Sequence, residues 1–212
     1  MNGTFSVLIS GVGGQGIVLM SKILGAACAS SGIPVVTGEQ HGLSQRSGSV
    51  SIHFRMGQGI VSPLIPAGTG DAIVGLEALE SLRYIEYLRP GALVLTSTLV
   101  QKPVTRTAMK ERTPSVAYMT LAEVVERLRS VAGQVVSLDA RELAAEAGNR
   151  MAENVVMLGA LSAAGGFPVS AEAIEGVMSI SIPGSAGPNL AAFRAGRERA
   201  LDLLTNEARR KP

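Results

Sequence analysis

A short apolar run that leads directly into a glycine cluster limits the possible folds of this chain more than any other feature. Three apolar residues are followed by four closely spaced glycines, Gly11, Gly13, Gly14 and Gly16. Apolar residues then recur at helical spacing over residues 17–28. This order predicts a strand, a tight turn and a helix, with free N–H groups and the positive end of the helix dipole at the turn. Such a turn attracts phosphate or another anion.

The glycine spacing allows more than one interpretation. Gly11, Gly13 and Gly16 fit the G-x-G-x-x-G fingerprint of dinucleotide-binding folds, and Glu39 lies near the expected position of a ribose-binding acid. The alternative is a tight turn that only packs a strand against a helix. We favour an anion-binding turn, whose predicted contacts are Gly11, Gly13, Gly14, Gln15 and Gly16.

A polar, glycine-punctuated segment separates two further predicted strands, residues 33–37 and 49–55. The intervening residues 38–48 include almost no large apolar side chains, so burying them in a core would be costly. We expect this segment to face a ligand or a partner chain, on the same sheet edge as the glycine turn. Arg46 and Ser47 are its predicted anion contacts, since a guanidinium binds phosphate or carboxylate bidentately. The predicted residues of a partner or active-site loop are Glu39, His41 and Gln45.

The rest of the chain alternates strands with helices and then becomes helical. Further strands are predicted at 71–76, 92–96, 115–119 and 134–138, and helices at 78–88 and 121–131. Residues 98–114 are predicted to form a surface loop. From about residue 139 only helices are predicted, at 140–147, 150–164, 171–179 and 189–208. The pattern predicts one α/β domain over residues 1–212, with a mostly parallel sheet flanked by helices and a helical C-terminal part.

Composition limits the possible partners. Apolar residues are 46% of the chain, charged residues only 17%, and the mean hydropathy is +0.30, so we expect a surface buried against another subunit. A net charge of +2 and 3% aromatic residues argue against nucleic-acid binding. No signal peptide and no membrane span are predicted, so the cytoplasm is the expected compartment.

The reactive side chains are too few for a complete catalytic site. Cys28 is the only cysteine, so the chain alone cannot form a disulfide, an iron–sulfur cluster or a thiolate zinc site. The two histidines, His41 and His53, have no neighbouring nucleophile and no metal-binding spacing. No catalytic residue and no metal ligand is therefore predicted. We expect the chemistry to be completed by another subunit.

Three motifs together point to a family. The sequence GVGGQG at 11–16, EQHGLSQRSGSV at 39–50 and SPLIP at 62–66 resemble the 2-oxoacid:ferredoxin oxidoreductase gamma-domain family. The resemblance extends through 82–84, 144–154 and 189–197, and so covers nearly the whole chain. The HGLSQR motif is most similar to the corresponding sequence in the beta subunits of indolepyruvate:ferredoxin oxidoreductases. Ser47 departs from the glycine that is common there, and a serine restricts positive φ.

The resemblance implies a Rossmann-like fold of the gamma or domain III type of pyruvate:ferredoxin oxidoreductase. It implies CoA-dependent oxidative decarboxylation of aryl 2-oxo acids to acyl-CoA, with electrons passed to ferredoxin. Thiamine diphosphate, Mg and [4Fe-4S] clusters would belong to a larger alpha subunit, and this chain alone would bind no cofactor. Its predicted role at the active site is contact with coenzyme A, through the glycine turn, Arg46 and Ser47.

Other functions remain open from the sequence. The first alternative is a gamma subunit of an oxidoreductase that acts on another 2-oxo acid, pyruvate or 2-oxoglutarate, although the HGLSQR motif argues against it. A free NAD-binding dehydrogenase domain is the second. A purely structural partner subunit, with no ligand of its own, is the third.

Overall fold

The sheet has six strands, as seen in a computed structural model that describes residues 3–42, 48–101, 119–181 and 186–210. The strands are β1 (Phe5–Val12), β2 (Val35–His41), β3 (Ser49–Met56), β4 (Gly70–Gly75), β5 (Leu88–Ser97) and β6 (Gln134–Leu138). The helices are α1 (Ile17–Ser30), α2 (Ala78–Arg83), α3 (Leu121–Arg129), α4 (Ala140–Glu146), α5 (Glu153–Ser162), α6 (Ala171–Ser181) and α7 (Ala186–Arg210). A short 3₁₀ helix, Ile85–Tyr87, precedes β5.

The strand order is β2-β3-β1-β4-β5-β6. Strands β1, β4, β5 and β6 pair in parallel, whereas β3 runs antiparallel to both β1 and β2. The predicted α/β class with a mostly parallel sheet is therefore confirmed. The reversed strand β3 lies between β1 and β2, so these two point the same way without touching.

Helices cover both faces of the sheet. Val7 and Ile9 of β1 join a core with α1, α4, α5, α6 and α7, whereas Leu8 joins a second core under α2 and α3. The same alternation runs along β3, where Ile52 and Phe54 face the first core. The predicted period-two pattern of β3 is confirmed, and its other face, which includes His53, is buried as well.

Helices α5 and α7 pack backbone against backbone. A Cβ built on Gly159 would overlap the carbonyl oxygen of Phe193, and one built on Gly196 would overlap the carbonyl oxygen of Val156. Only glycine permits this approach at either position. In the described residues, no helix is long and apolar enough to cross a membrane.

Several predicted boundaries are wrong. The helix expected over 78–88 ends at Arg83, and Leu88 already begins β5. Helix α5 begins at Glu153 rather than 150, because Asn149 accepts from the Met151 N–H and donates to Asn189. Helix α7 begins at residue 186 rather than 189. The strand predicted at 115–119 and most of the loop at 98–114 lie outside the described residues.

Candidate functional site

The glycine turn links the end of β1 to the start of α1. Gly14 has φ 96° and Gly16 has φ 73°, conformations that side-chain-bearing residues rarely adopt. The Gly13 N–H donates to the Gly48 carbonyl oxygen at 2.9 Å. Gly13 and Gly14 are both exposed, and a Cβ on Gly14 would meet no atom within 4 Å in the part of the chain that the structure describes. These two glycines leave the backbone open to a ligand.

Gly11 and Gly16 have packing roles instead. Gly11 was expected in the turn, but it lies inside β1 opposite Val50. A Cβ there would approach the Gln15 Oε1 to 2.6 Å. A Cβ on Gly16 would approach the Asn154 Nδ2 to 2.5 Å, and the same Nδ2 donates to the Gly16 carbonyl oxygen. Close packing therefore explains two glycines, Gly11 and Gly16, of the spacing that resembles a dinucleotide fingerprint.

Gln15 shapes the turn from inside the protein. Its side chain is buried, and its Oε1 accepts the Val12 N–H at 2.8 Å. Its Nε2 donates to the Leu76 carbonyl oxygen at 2.9 Å, and more weakly to Glu153 at 3.4 Å. Because these groups already have partners, the side chain of Gln15 holds the turn in place.

The N-terminus of α1 has no side-chain cap. The N-cap residue is Gly16, which has no side chain, and no acidic residue lies in the first turn. The first backbone N–H groups of a helix have no partner inside the helix, and they carry the positive end of its dipole. This end of α1 therefore offers donors and partial positive charge to an anion.

A cavity of about 870 Å³ adjoins the glycine turn and the first turn of α1. Its opposite wall comes from the start of α4, the residues before α5 and the first turn of α5. It is lined by Val12, Gly13, Gly14, Gln15, Gly16, Leu19, Gln101, Asp139, Arg141, Glu142, Ala145, Arg150, Met151, Glu153 and Asn154. The volume lies within the ordinary range of small-molecule sites.

The cavity lies at the point where the connections of the sheet diverge. After β1 the chain continues in α1 on one face, and after the neighbouring β4 it continues in α2 on the other face. Open α/β sheets bind ligands outside the carboxyl ends of the strands at such a point. The fold therefore supports this cavity as the candidate site.

Some charged side chains that line the cavity already have partners within the chain. Arg141 donates to Glu153 at 3.1 Å, and Asp139 accepts the Glu142 N–H at 2.9 Å as the cap of α4. Arg150 is exposed and has no ion-pair partner among the described residues. Arg150 is thus the cation that is available to a ligand.

The rim of the cavity is partly apolar. Leu19 is 43% exposed and Met151 is 80% exposed. Both are large hydrophobic side chains that lie beside the polar turn. The site therefore combines anion donors with apolar surface for an uncharged part of a ligand.

Sequence reasoning missed the second wall of the cavity. Arg141, Arg150 and Met151 follow β6, whose carboxyl end shares a sheet edge with that of β1. The available signal was the predicted strand at 134–138, because parallel strands end at the same edge. Residues that follow it directly were candidates for the site.

The structure corrects the interpretation of Glu39 and His41. Both lie in β2 rather than in a loop, and their side chains are exposed and 3.4 Å apart. Because β3 separates β2 from β1, Glu39 lies two strands, or about 10 Å, from the strand that leads into the glycine turn. This position does not suit an acid that binds the ribose of a nucleotide at that turn.

The end of the polar segment does reach the glycine turn. Ser49 pairs with Val12, and Gly48 accepts the hydrogen bond from Gly13. The prediction that the turn and this segment share one sheet edge is confirmed for these residues. Gln45, Arg46 and Ser47 lie outside the described residues.

Two buried groups lie away from the cavity. Burial raises the pKa of the Cys28 thiol to about 11, which suits an inert core residue. Burial, followed by the nearby charge of Arg55, lowers the pKa of His53. The His53 Nδ1 accepts the Ile65 N–H at 3.1 Å, so His53 is structural. Among the described residues, no group of three His, Cys, Asp or Glu side chains is placed to hold a metal ion.

Comparison with known proteins shows similarity along nearly the whole chain. Residues 6–199 match the family described as pyruvate ferredoxin/flavodoxin oxidoreductase. The indolepyruvate oxidoreductase subunit IorB of Thermococcus kodakarensis is 40% identical over 202 residues, which cover 94% of this chain and 98% of that protein.

Solved structures share the fold. The gamma subunit of a keto/oxoacid ferredoxin oxidoreductase from Geobacter sulfurreducens superposes with a TM-score of 0.69, at 24% identity, over 95% of this chain and 98% of that one. A 2-oxoglutarate:ferredoxin oxidoreductase from Magnetococcus marinus, solved with 2-oxoglutarate, coenzyme A and succinyl-CoA bound, gives 0.67 at 20% identity. The match covers 94% of this chain and 31% of that longer chain.

The sequence match, the sheet order and the shared fold agree. The chain therefore belongs to the pyruvate ferredoxin/flavodoxin oxidoreductase family, and the curated relatives that cover nearly all of it at 35–40% identity are subunits of indolepyruvate oxidoreductase.

Proposed function

We propose that this chain is the non-thiamine subunit of a cytoplasmic indolepyruvate:ferredoxin oxidoreductase and that its cavity holds part of coenzyme A. The complex would convert aryl 2-oxo acids to acyl-CoA and pass the electrons to ferredoxin. The similarity to IorB subunits supports the reaction class, and the Magnetococcus marinus enzyme supports the ligand, because coenzyme A is bound there.

One observation carries the assignment of the ligand to this cavity: the uncapped N-terminus of α1 lines it together with Arg150, a cation without an ion-pair partner among the described residues. Coenzyme A carries phosphate groups, which suit helix N–H donors and a guanidinium. Its uncharged parts suit the exposed side chains of Leu19 and Met151. The volume of about 870 Å³ is of the size that a large part of the molecule needs.

The larger partner would supply the redox and carbanion chemistry. One cysteine in the whole chain is too few for the ligands of an iron–sulfur cluster. Thiamine diphosphate stabilises the carbanion that decarboxylation produces. The residues of this chain would instead bind coenzyme A and orient it toward the partner's site.

The proposal also includes residues 45–47, which the structure does not describe. Arg46 and Ser47 stay predicted contacts of the same ligand, because Gly48 beside them is bonded to the glycine turn. Gln45 stays a predicted residue of the partner or active-site loop. Glu39 and His41, on the exposed edge strand β2, are proposed as contacts of the partner subunit.

The test is the Michaelis constant for coenzyme A in the complex reconstituted with its thiamine-binding subunit. Arg150→Gln removes a charge-assisted hydrogen bond worth about 1.5–3 kcal/mol, so we expect KM for coenzyme A to rise about ten- to hundredfold. Arg127→Gln is the matched control, since Arg127 is an exposed arginine on α3. Equal KM values in both variants would refute the placement of coenzyme A.

A substrate panel tests the reaction. Indolepyruvate and other aryl 2-oxo acids should be turned over with a higher kcat/KM than pyruvate or 2-oxoglutarate. The reverse order would favour a gamma subunit for another 2-oxo acid. The strand order argues against the NAD-binding alternative, because Glu39 does not lie beside the glycine turn.

A further inference from the structure

The chain that follows β4 contacts two segments at the edge of the cavity. The Leu76 carbonyl oxygen accepts a hydrogen bond from the side chain of Gln15 in the glycine turn. The Ala78 N–H donates to the Leu99 carbonyl oxygen at 2.8 Å. Residues 76–80 are therefore the connection between the glycine turn and the segment that follows β5.

Glu77 is a buried carboxylate with a divided role. It is 1% exposed, and its Oε2 accepts the Glu80 N–H at 2.8 Å, which caps α2. Its Oε1 accepts the Gln101 N–H at 2.7 Å. Gln101 is the residue of this segment that lines the cavity. Burial holds the pKa of the Glu77 carboxyl above its ordinary value, although the backbone N–H donors oppose this shift.

Glu80 contacts the segment on the other side of the glycine turn, at the start of β3. It is 6% exposed, and its Oε2 accepts a hydrogen bond from the Ser49 hydroxyl at 2.5 Å. The residue before Ser49 is Gly48, whose carbonyl oxygen accepts the Gly13 N–H. Arg83 donates to the same carboxylate at 3.0 Å. Glu80 is thus linked to the glycine turn through the start of β3.

We propose that Glu77 and Glu80 are positioning residues, which hold the two segments that flank the glycine turn and so set the shape of the coenzyme-binding cavity. The two acids lie three residues apart at the start of one helix, so one rigid element fixes both flanks. The consequence for coenzyme A rests on the proposed function. The positioning itself does not, since it follows from contacts within this chain.

Glu77→Asp separates the two roles of Glu77. Aspartate is a preferred N-cap residue, so it can still accept the Glu80 N–H and keep α2 intact. Its side chain is one methylene shorter, so it cannot also reach the Gln101 N–H. In the purified complex, we expect amide hydrogen exchange at residues 99–101 to become at least about tenfold faster. KM for coenzyme A should rise severalfold, with kcat at saturating coenzyme A unchanged.

Glu123→Asp is the matched control. Glu123 also accepts a backbone N–H, that of Thr120 at 2.7 Å, but it is exposed in the capping box of α3. This variant should leave both exchange at 99–101 and KM unchanged. A second pair addresses the other flank: Glu80→Ala should speed exchange at residues 48–50, whereas Glu80→Gln, which can still bond Ser49 and Arg83, should restore protection.

The outcomes separate this inference from the proposed function. Unchanged exchange at 99–101 in Glu77→Asp, or at 48–50 in Glu80→Ala, overturns the positioning role. A KM that rises in Arg150→Gln but not in Glu77→Asp overturns it too. If exchange rises while KM changes in neither variant, positioning stands and the placement of coenzyme A fails.

Discussion

Replacing Gly14 by alanine tests whether a ligand approaches the backbone of the glycine turn. Gly14 has φ 96°, and a Cβ there would meet no atom of the described residues within 4 Å. The added methyl would therefore clash with no described residue, at a position that lines the cavity. Gly59→Ala is the matched control, because Gly59 has φ 73° and equally open surroundings. Gly59 follows β3, whose end lies at the opposite edge of the sheet.

The two substitutions should cost similar stability. A non-glycine residue in the left-handed region costs about 1–2 kcal/mol. For a chain of this length, that corresponds to a fall in Tm of roughly 2–8 °C. Only Gly14→Ala should also block a hydrogen bond from the backbone to a charged ligand group, worth about 1.5–3 kcal/mol. KM for coenzyme A should then rise about ten- to hundredfold in Gly14→Ala and stay unchanged in Gly59→Ala.

The assay combines thermal denaturation of each variant with coenzyme A titration of 2-oxo acid oxidation in the reconstituted complex. A similar fall in Tm in both variants, with a rise in KM for Gly14→Ala alone, supports backbone contact with coenzyme A. Equal KM values would refute it. Loss of complex assembly in Gly14→Ala would instead identify the turn as a contact with the partner subunit.

Two further predictions concern stability. Because the fold lowers the pKa of His53 below its ordinary value of about 6.5, the unfolded chain binds a proton more readily, so Tm should fall as pH drops below about 6.5. His53→Gln should flatten this dependence, measured by thermal denaturation across pH. Gly196→Ala forces a methyl onto the Val156 carbonyl oxygen, so we expect it to lower the free energy of unfolding by more than the ~1–3 kcal/mol of ordinary overpacking. Gly176→Ala, in α6 with open surroundings, should instead raise that free energy by about 0.5–1 kcal/mol. Denaturant titration measures both variants, and equal changes in the free energy of unfolding would contradict this prediction.

The sequence predicted the elements more accurately than their ends. The strands around residues 7–9 and 134–138 and the helix from residue 17 are present, because short apolar runs and helical spacing are local signals. The start of α5 was misplaced: Asn149 accepts the Met151 N–H as a cap would, but it also donates to the distant Asn189, and the helix begins only at Glu153. The bond to Asn189 exists only in the folded chain, so no local pattern predicts it.

The glycine-turn side of the candidate site was also predictable from the sequence. Gly13 and Gly14 stand in the turn with their backbone open, and glycine spacing alone indicates such a turn. Arg150 was missed because it is distant in sequence from the turn, and the family resemblance over residues 144–154 did not by itself assign it a role. Gln15 was predicted as a ligand contact, yet its side chain bonds Val12 and Leu76.

The sequence by itself determined the family, the α/β class and the turn between β1 and α1, since these depend on neighbouring residues and on motifs that survive in short segments. The tertiary structure alone decided that β3 lies between β1 and β2, which moves Glu39 to an exposed edge. It also decided that Gly11 and Gly16 are needed for packing and that Arg150 lines the same cavity as the turn. Strand order depends on pairings such as that of Val12 with Ser49, and the cavity walls on contacts such as that of Gln15 with Glu153, which are more than a hundred positions apart; no local pattern encodes either.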